Sequence, residues 1–225
     1  MTDPRIRSFA MFLILAAALI VFLQSGLREQ VQWEKVRELG ENPWTPVIIV
    51  AAMTAAWAFA LPGSVFFFVT PLLFGALEAT AIVCLGSALG TLAGYGAARY
   101  VGGPWVERFR NHSITRFLER HSSFASLFAI RVVPSSQHWL INYGAGLLRL
   151  SVGKLLLATV TAVAIKGFLY AKAIQGSVGA SNIRDALNWE TVAALTVIAG
   201  LAVAGHVWQR HWGREKRKYP ISNVE

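Results

Sequence analysis

Four ionisable residues lie in or beside stretches that are otherwise apolar: Glu78, Arg131, His138 and Lys166. A charged group at bilayer depth costs at least about 2.5–3.5 kcal/mol on insertion scales, so each such residue needs a partner or a function. Arg131 can place two N–H donors on phosphate oxygens, whereas Lys166 would act as a point charge. Together, these two cations are predicted to hold an anionic head group.

Each of these residues also has an interpretation that involves no transport chemistry. Arg131 could instead donate hydrogen bonds to carbonyl groups that a helix break at Pro134 leaves without partners. Lys166 could extend its ammonium to the membrane interface. Glu78 is an interfacial residue, a proton-coupling carboxylate or the counter-charge of Arg131. His138 is a hydrogen-bonded loop residue or a proton carrier.

Enzyme chemistry is disfavoured by the sequence. It contains no metal-ligand spacing, no phosphate-cradling loop and no nucleophile constellation. We therefore expect neither a metal nor a cofactor, and we do not expect an enzyme. The single cysteine, Cys84, rules out an intramolecular disulfide.

The first element that must position these residues is an uncharged stretch from Asn42 to Leu77. It is too long for one membrane span and too short for two, because a span needs about 20 apolar residues. The stretch predicts a full span over residues 44–61 and then a segment that enters the bilayer and turns back. The predicted breaks of this hairpin are Pro62, Gly63, Pro71 and Gly75.

A second broken apolar segment follows a predicted full span over residues 79–98. Residues 124–130 are apolar, Arg131 is charged, and Pro134 begins an interruption before the apolar residues 139–148. The predicted breaks of this second hairpin are Pro134, Gly144 and Gly146. Two discontinuous elements that meet near the midplane are typical of an inverted-repeat transporter.

Composition sets the class of the protein. The chain has 225 residues, of which 55% are hydrophobic and 15% are charged. These values predict an integral membrane protein. The lengths and breaks of its apolar segments predict an all-helical fold with about five transmembrane helices and two re-entrant hairpins. The five predicted spans are residues 8–27, 44–61, 79–98, 154–176 and 189–208. We interpret residues 8–27 as a retained span and not as a signal peptide, because no small-residue cleavage site precedes residues 28–41.

The net charge of +9 has a membrane interpretation as well. Basic residues gather at the ends of spans and in the tail from Arg210 to Lys218, which favours contact with anionic lipid head groups over nucleic acid. Residues 104–123 are predicted to form an amphipathic helix on the membrane surface. The basic ends place both termini in the cytoplasm, yet five spans place them on opposite sides. Either one hairpin crosses the membrane completely, or the C-terminal charges do not determine the side on which the C-terminus lies.

The glycine pattern of the third span predicts close helix packing. Gly86, Gly90 and Gly94 repeat every four residues and therefore lie on one helical face. Such a face lets another backbone approach closely. Lining of a transport path is the alternative.

Short motifs in a fixed order resemble those of the DedA / SNARE-associated Golgi protein (VTT-domain) family, in particular its Tvp-like branch. The similarity covers about residues 45–178. The first-half motifs are Leu61-Pro62-Gly63, Pro71-Leu72-Leu73-Phe74-Gly75-Ala76, Gly86-Ser87-Ala88-Leu89-Gly90 and Ala97-Ala98-Arg99-Tyr100-Val101-Gly102-Gly103. The second-half motifs are Arg131-Val132-Val133-Pro134, Asn142-Tyr143-Gly144-Ala145-Gly146-Leu147 and Arg149-Leu150-Ser151.

The resemblance implies a helical domain with two re-entrant hairpins that moves lipids or lipid-linked carriers between leaflets, undecaprenyl phosphate in some bacterial members. The predicted substrate-binding residues are Arg131, Lys166, Arg149 and Asn142, and Glu78 and His138 are the predicted proton-coupling residues. Gln137, Trp139 and Lys166 depart from the pattern of this branch, so the substrate can differ. A non-transporting role in membrane homeostasis or assembly is the alternative.

The predicted organisation divides the chain into three parts. Residues 1–42 hold the first span and an outer segment, residues 43–178 the VTT/DedA-like domain, and residues 179–225 the last span and the basic tail. The expected location is a bacterial inner (plasma) membrane, the expected partners are anionic membrane lipids, and a homo-oligomer is compatible with the sequence.

Overall fold

A computed structural model describes residues 33–61, 63–101, 113–132, 138–178 and 188–218, and every regular element in these ranges is helical. The first predicted span and the breaks at Pro62 and Pro134 lie outside these ranges. The described helices are α1 (Trp33–Glu41), α2 (Trp44–Ala58), α3 (Phe66–Leu73), α4 (Ala76–Gly96), α5 (Ser113–Arg120), α6 (Phe124–Val132), α7 (His138–Leu147), α8 (Val152–Val178) and α9 (Trp189–Lys218).

The chain divides into two compact units, residues 1–41 and residues 42–225, and α1 is the described part of the first unit. The second unit begins with α2, where the Asn42 side chain accepts a hydrogen bond from the Trp44 backbone N–H at 2.9 Å. Helix α2 ends at Ala58, because Ala60 turns left-handed at φ 59° and the Leu61 N–H bonds back to the Ala56 carbonyl. The predicted span over residues 44–61 therefore ends early.

Two described helices are long and apolar enough to cross a membrane, and both had been predicted as spans. They are residues Ala76–Tyr100, where α4 continues into a wider turn over Ala97–Val101, and Val152–Ser177 of α8. These two helices pack against each other and form the centre of the unit. The apolar part of α9 is shorter, Trp189–Leu201, although the helix itself continues to Lys218.

The first broken segment is a short helix that ends in an extended pair of residues. A 3₁₀ turn over Gly63–Val65 leads into α3, and Phe74 is extended before α4 begins at Ala76. The predicted break at Pro71 is wrong, because Pro71 is buried inside α3 and the helix continues to Leu73. A proline removes only one helical hydrogen bond, and here it does so within the final turn.

The second broken segment consists of α6 and α7, which are separated by residues 133–137. The predicted breaks at Gly144 and Gly146 are wrong, because both glycines lie inside the continuous helix α7. Their missing side chains instead allow close packing. A Cβ on Gly146 would lie 2.5 Å from the Tyr95 carbonyl oxygen, and one on Gly144 would lie 3.1 Å from the Leu118 and Thr115 side chains.

Helix α5 is the described part of the amphipathic helix predicted over residues 104–123, and residues 104–112 lie outside the described ranges. Its residues Thr115, Phe117 and Leu118 are buried, and Phe117 and Leu118 belong to a core cluster with Ile141 of α7. The apolar face of α5 therefore packs against protein in the described structure. The physical reason is the small Gly144 surface of α7, which Thr115 and Leu118 cover.

The glycine face of α4 packs as predicted. A Cβ on Gly86 would lie 2.9 Å from the Met53 sulfur, and one on Gly90 would lie 3.0 Å from the Trp57 ring. A Cβ on Gly94 would lie 3.2 Å from the Asn142 Cβ. The glycines thus bring α2 and α7 close to α4, and Trp57 and Asn142 lie against the glycine face of α4.

Candidate functional site

Four polar side chains meet between α6, α7 and α8: Arg131, His138, Asn142 and Lys166. One terminal nitrogen of Arg131 donates a hydrogen bond to Asn142 Oδ1 at 2.6 Å, and the other lies 3.3 Å from His138 Nδ1. Lys166 Nζ lies 2.8 Å from His138 Nε2. We call these four residues the polar cluster.

Residues at the end of α6 and the start of α7 form most of the polar cluster. Arg131 lies in the last turn of α6, and His138 is the first residue of α7. Asn142 follows His138 by four residues and therefore lies on the same face of α7. Helix carbonyls near a C-terminus have no partner within their own helix. Lys166 of α8 supplies one, because its Nζ donates to the Arg131 carbonyl oxygen at 3.1 Å.

The polar cluster is buried almost completely. The exposed fraction is 0% for Arg131 and Asn142, 3% for Lys166 and 6% for His138. Such burial is unusual for arginine and lysine, which are almost never fully buried unless they are paired. Lys166 therefore does not extend its ammonium to the outside in this structure, contrary to one of the two interpretations of its sequence position.

Two aromatic side chains from the first half cover the polar cluster. The Trp57 ring stacks on the His138 imidazole with centroids 5.0 Å apart and planes 7° apart. Phe67 of α3 stacks on the same imidazole at 6.3 Å and 15°, and Lys166 Nζ lies 5.3 Å from the Phe67 ring centroid. The cover is thus supplied by α2 and by the first broken segment.

The electrostatic character of the site is positive. Within the part of the chain that the structure describes, the Lys166 ammonium has no carboxylate partner, and the ion pair found there joins Lys172 to Glu190 elsewhere on α8 and α9. Asn142 Nδ2 is buried and makes no hydrogen bond to any residue that the structure describes. A buried donor without an acceptor costs about 1–3 kcal/mol. An anion in this position would supply both the negative charge and the missing acceptor.

The structure brings four predicted site residues together but leaves Arg149 outside. Arg149 follows the end of α7 and is exposed and left-handed at φ 54°. Its N–H donates to the Gly146 carbonyl, and the Leu150 N–H donates to the Ala145 carbonyl, which together form a Schellman helix end. His138 lies at the opposite end of α7, roughly 15 Å away along the axis. The assignment of Arg149 to substrate binding is not supported by this position.

Glu78 also lies outside the polar cluster. It occupies the first turn of α4 and is exposed, whereas Arg131 is buried. The predicted pairing of Glu78 with Arg131 is therefore absent from the described structure. A proton-coupling role for Glu78 stays a prediction, and it would have to act away from the four buried residues.

Sequence reasoning missed Trp57 and Phe67. Both lie in apolar stretches where aromatic side chains are common, so neither residue type was a signal by itself. A signal did exist in the glycines: Gly63 lies directly against the Trp57 indole, and Gly90 lies against the same ring. Small residues on two sides of one large ring indicate a fixed position for that ring.

Comparisons with known proteins identify the class and then the family. The two membrane-length helices and the match to a membrane protein domain make this chain an integral membrane protein. The family model of the VTT domain matches residues 61–176, which is more than half of the chain, and the chain belongs to this family. The matched region includes Phe67 and all four residues of the polar cluster. The family expected from the sequence motifs is confirmed, and the narrower assignment to the Tvp-like branch stays a prediction.

Transmembrane protein 41B is among the similar curated proteins. The chain is 27% identical to the protein of Xenopus tropicalis over 158 residues, covering 68% of this chain and 57% of the relative. It is 26% identical to the protein of Rattus norvegicus over 158 residues, covering 68% of this chain and 54% of the relative. The chain thus spans less than two thirds of the length of these relatives. No solved structure matches this chain significantly.

Proposed function

We propose that this protein moves phosphate-bearing lipids or lipid-linked carriers from one membrane leaflet to the other, as a flippase or scramblase. The observation that carries the proposal is the polar cluster, in which Arg131 and Lys166 contact one imidazole inside a membrane protein. Two buried cations that contact the same imidazole repel each other unless an anion or the loss of a proton compensates their charge. An anionic head group is the compensating charge that a lipid offers.

The donors of the polar cluster suit a phosphate group. The guanidinium of Arg131 presents N–H donors in a planar fork, and Lys166 adds a point charge that follows the phosphate. Asn142 Nδ2 supplies a neutral donor that is otherwise unused. In this mechanism the head group enters between the two halves while the acyl chains remain in the surrounding lipid. Polyprenyl phosphate is one substrate with this chemistry.

The lengths of the broken segments support two re-entrant hairpins. Helices α3, α6 and α7 contain 8, 9 and 10 residues. At 1.5 Å per residue they are roughly 12–15 Å long, about half of a hydrocarbon core of about 30 Å. We propose five membrane spans and two such hairpins in an inverted-repeat arrangement. We propose the bacterial plasma membrane as the location, which membrane fractionation would test.

Access to the polar cluster requires the aromatic cover to move. Trp57 and Phe67 stack on His138 from the first half, and the four polar residues are closed off in this arrangement. Non-helical backbone is tolerated at membrane depth only beside protein or a water-filled cavity. The first hairpin is therefore the proposed gate, and its displacement would open the cluster to one side.

A second candidate function is a non-transporting role in membrane homeostasis or assembly. The observation that favours it is the internal bonding of the cluster, where Asn142 accepts from Arg131 and Lys166 donates to the Arg131 carbonyl. In that case the cations would tie α6, α7 and α8 together. Substitution of Arg131 would then lower the amount of folded protein and would not change transport selectively.

Flipping by purified protein in liposomes separates the two functions. A fluorescent phosphatidate is placed in both leaflets, and a membrane-impermeant quencher reports how fast the inner pool appears outside. The proposal expects flipping by the native protein and at least about tenfold slower flipping by Arg131→Lys, because one charge-assisted bond worth about 1.5–3 kcal/mol is lost.

The matched controls make the same types of substitution outside the polar cluster. Arg149→Lys keeps the charge at an exposed position, and Lys172→Met removes an exposed lysine from the same helix as Lys166. Both variants should flip lipid at the native rate. Absence of flipping by the native protein would contradict lipid transport and would favour the non-transporting function.

A further inference from the structure

The donors and acceptors of the polar cluster do not balance if both cations carry their full charge. A neutral imidazole has one N–H donor and one acceptor nitrogen, a guanidinium has donors only, and an ammonium has donors only. His138 faces Arg131 with Nδ1 at 3.3 Å and Lys166 with Nε2 at 2.8 Å. One imidazole cannot accept from both.

Loss of one proton resolves the conflict. If Nδ1 accepts from Arg131, the proton of the imidazole lies on Nε2 and points at Lys166 Nζ. A neutral amine has a lone pair that can accept this bond, and it keeps two N–H groups, one of which can donate to the Arg131 carbonyl at 3.1 Å. All three contacts are then satisfied. Lysine, unlike arginine, can lose its proton at a buried position.

The alternative protonation state leaves a conflict. A charged Lys166 would donate to Nε2, and the imidazole proton would then lie on Nδ1, facing the Arg131 guanidinium. Donor would face donor between two cations inside the protein. An anion that approaches Arg131 and Lys166 removes this conflict, because it accepts from both and supplies compensating charge.

Among the titratable groups around Lys166, those of the polar cluster are the ones that can gain a proton. Helix α6 contributes Arg131 and α7 contributes His138, whereas α2 and α3 contain no titratable residue. On α8 itself, Tyr170 lies one turn from Lys166 and packs against Phe67, but its phenol is neutral and offers no place for an added proton. Other described titratable groups are engaged or exposed elsewhere. Tyr95 donates to the Leu150 carbonyl, the Cys84 sulfur lies near the Val160 carbonyl, Glu190 pairs with Lys172, and Glu78 is exposed.

We propose that Lys166 is a neutral amine bonded to His138 before a lipid binds, and that binding of an anionic head group is accompanied by uptake of one proton onto Lys166. This inference rests on the proposed head-group site and adds a second transported species to it. The balance is simple: the amine gains a proton from the aqueous side, and the resulting ammonium pairs with the phosphate. A phosphate monoanion and its proton would then cross together without net charge movement.

Calorimetry with a phosphodiester lipid tests the inference directly. The protein is placed in phosphatidylcholine nanodiscs and titrated with short-chain phosphatidylglycerol in two buffers that differ in ionisation enthalpy. The phosphodiester keeps a single negative charge near neutral pH, so a difference in heat between buffers reports protons gained by the protein. We expect uptake of about one proton per bound lipid.

Variants at Lys166 give the matched comparison. Lys166→Arg cannot lose its proton, so it should bind the lipid with no proton uptake. Lys166→Met should bind more weakly, also without uptake, which keeps the test valid if the larger arginine is not accommodated. Lys172→Met removes an exposed lysine six residues along α8 and should take up the same number of protons as the native protein.

The outcomes distinguish the inference from the proposed function. Lipid binding by the native protein with equal heats in both buffers would overturn proton uptake and leave the head-group site standing. Proton uptake that persists in Lys166→Met would overturn the assignment to Lys166. A native protein that binds no phosphatidylglycerol would contradict the proposed head-group site and this inference together.

Discussion

The two broken segments both contain short helices, but they differ in chemistry. The first, from Gly63 to Gly75, is apolar and contributes Phe67 to the cover of the polar cluster. The second, α6 and α7, contributes Arg131, His138 and Asn142. In the second segment, Lys166 donates to the Arg131 carbonyl in the last turn of α6, and in the first segment a short aromatic helix places Phe67 against the imidazole.

The largest expected effect comes from removing the charge of the second segment. Arg131→Ala should slow lipid flipping by more than about 100-fold, because at least two charge-assisted bonds worth about 1.5–3 kcal/mol each are lost. The protein should still insert and accumulate in membranes, since arginine does not favour insertion. Quantitative immunoblotting of membranes alongside the flipping assay checks both statements.

Loss of accumulation in Arg131→Ala would favour a structural role for Arg131. Arg131→Lys separates the two roles further, because lysine keeps the charge but lacks the fork. We expect poor rescue of flipping with normal accumulation. Full rescue by lysine would contradict recognition of phosphate by a planar fork.

Packing should be less tolerant of an added methyl group at Gly146 in the second segment than at Gly75 in the first. Gly146→Ala would place a Cβ 2.5 Å from the Tyr95 carbonyl oxygen, whereas a Cβ on Gly75 would meet nothing within 4 Å. Overpacking of this kind costs about 1–3 kcal/mol. We expect a clear fall in the thermal unfolding temperature for Gly146→Ala and little change for Gly75→Ala. Equal effects of the two substitutions would show that the close approach of α7 to α4 is misplaced.

Lys166 should matter more for binding than for stability. Lys166→Met removes a buried polar group that has no carboxylate partner among the described residues, which is favourable, but it leaves the Arg131 carbonyl without its donor. These effects oppose each other, so we expect the stability to change by less than about 1 kcal/mol. Thermal unfolding and phosphatidate binding, measured on the same preparation, should show a small change and a large loss. A large loss of stability with unchanged binding would contradict the role assigned to Lys166.

The smallest expected effect is at the end of α7. Arg149 adopts a left-handed conformation at a position where glycine is usual, so Arg149→Gly should stabilise the protein by up to about 1 kcal/mol. Flipping should be unchanged because Arg149 lies outside the polar cluster. A strong loss of flipping would restore Arg149 to the substrate-binding residues.

Much of the architecture follows from periodicity and charge. The apolar lengths predicted α4 and α8 closely, and the charged residues within apolar stretches pointed to Arg131, His138 and Lys166. Pro71 was misinterpreted because a proline in the final turn of a helix removes only one hydrogen bond. Gly144 and Gly146 were misinterpreted because glycine marks close packing as well as breaks. Local sequence cannot distinguish these cases, since the residue that packs against the glycine lies far away in the chain.

Long-range contacts explain the remaining differences. The aromatic cover joins Trp57 and Phe67 to His138, which lies 81 and 71 residues further along the chain, and no local pattern encodes such a contact. The burial of α5 depends on Gly144 of α7 in the same way. In contrast, Arg149 and Glu78 were assigned from residue type and motif position, and their exposed positions follow from helix ends that the sequence placed only approximately.

Retention of phosphatidate in native mass spectrometry tests the central claim, which is that the polar cluster binds an anion at Arg131 and Lys166. Two double variants lose the same charge at different places: Arg131→Ala with Lys166→Met inside the polar cluster, and Arg149→Ala with Lys172→Met outside it. We predict that the native protein and the outer double variant retain phosphatidate over phosphatidylcholine, and that the inner double variant does not. Equal retention by both double variants, or equal loss, would contradict an anion site at Arg131 and Lys166.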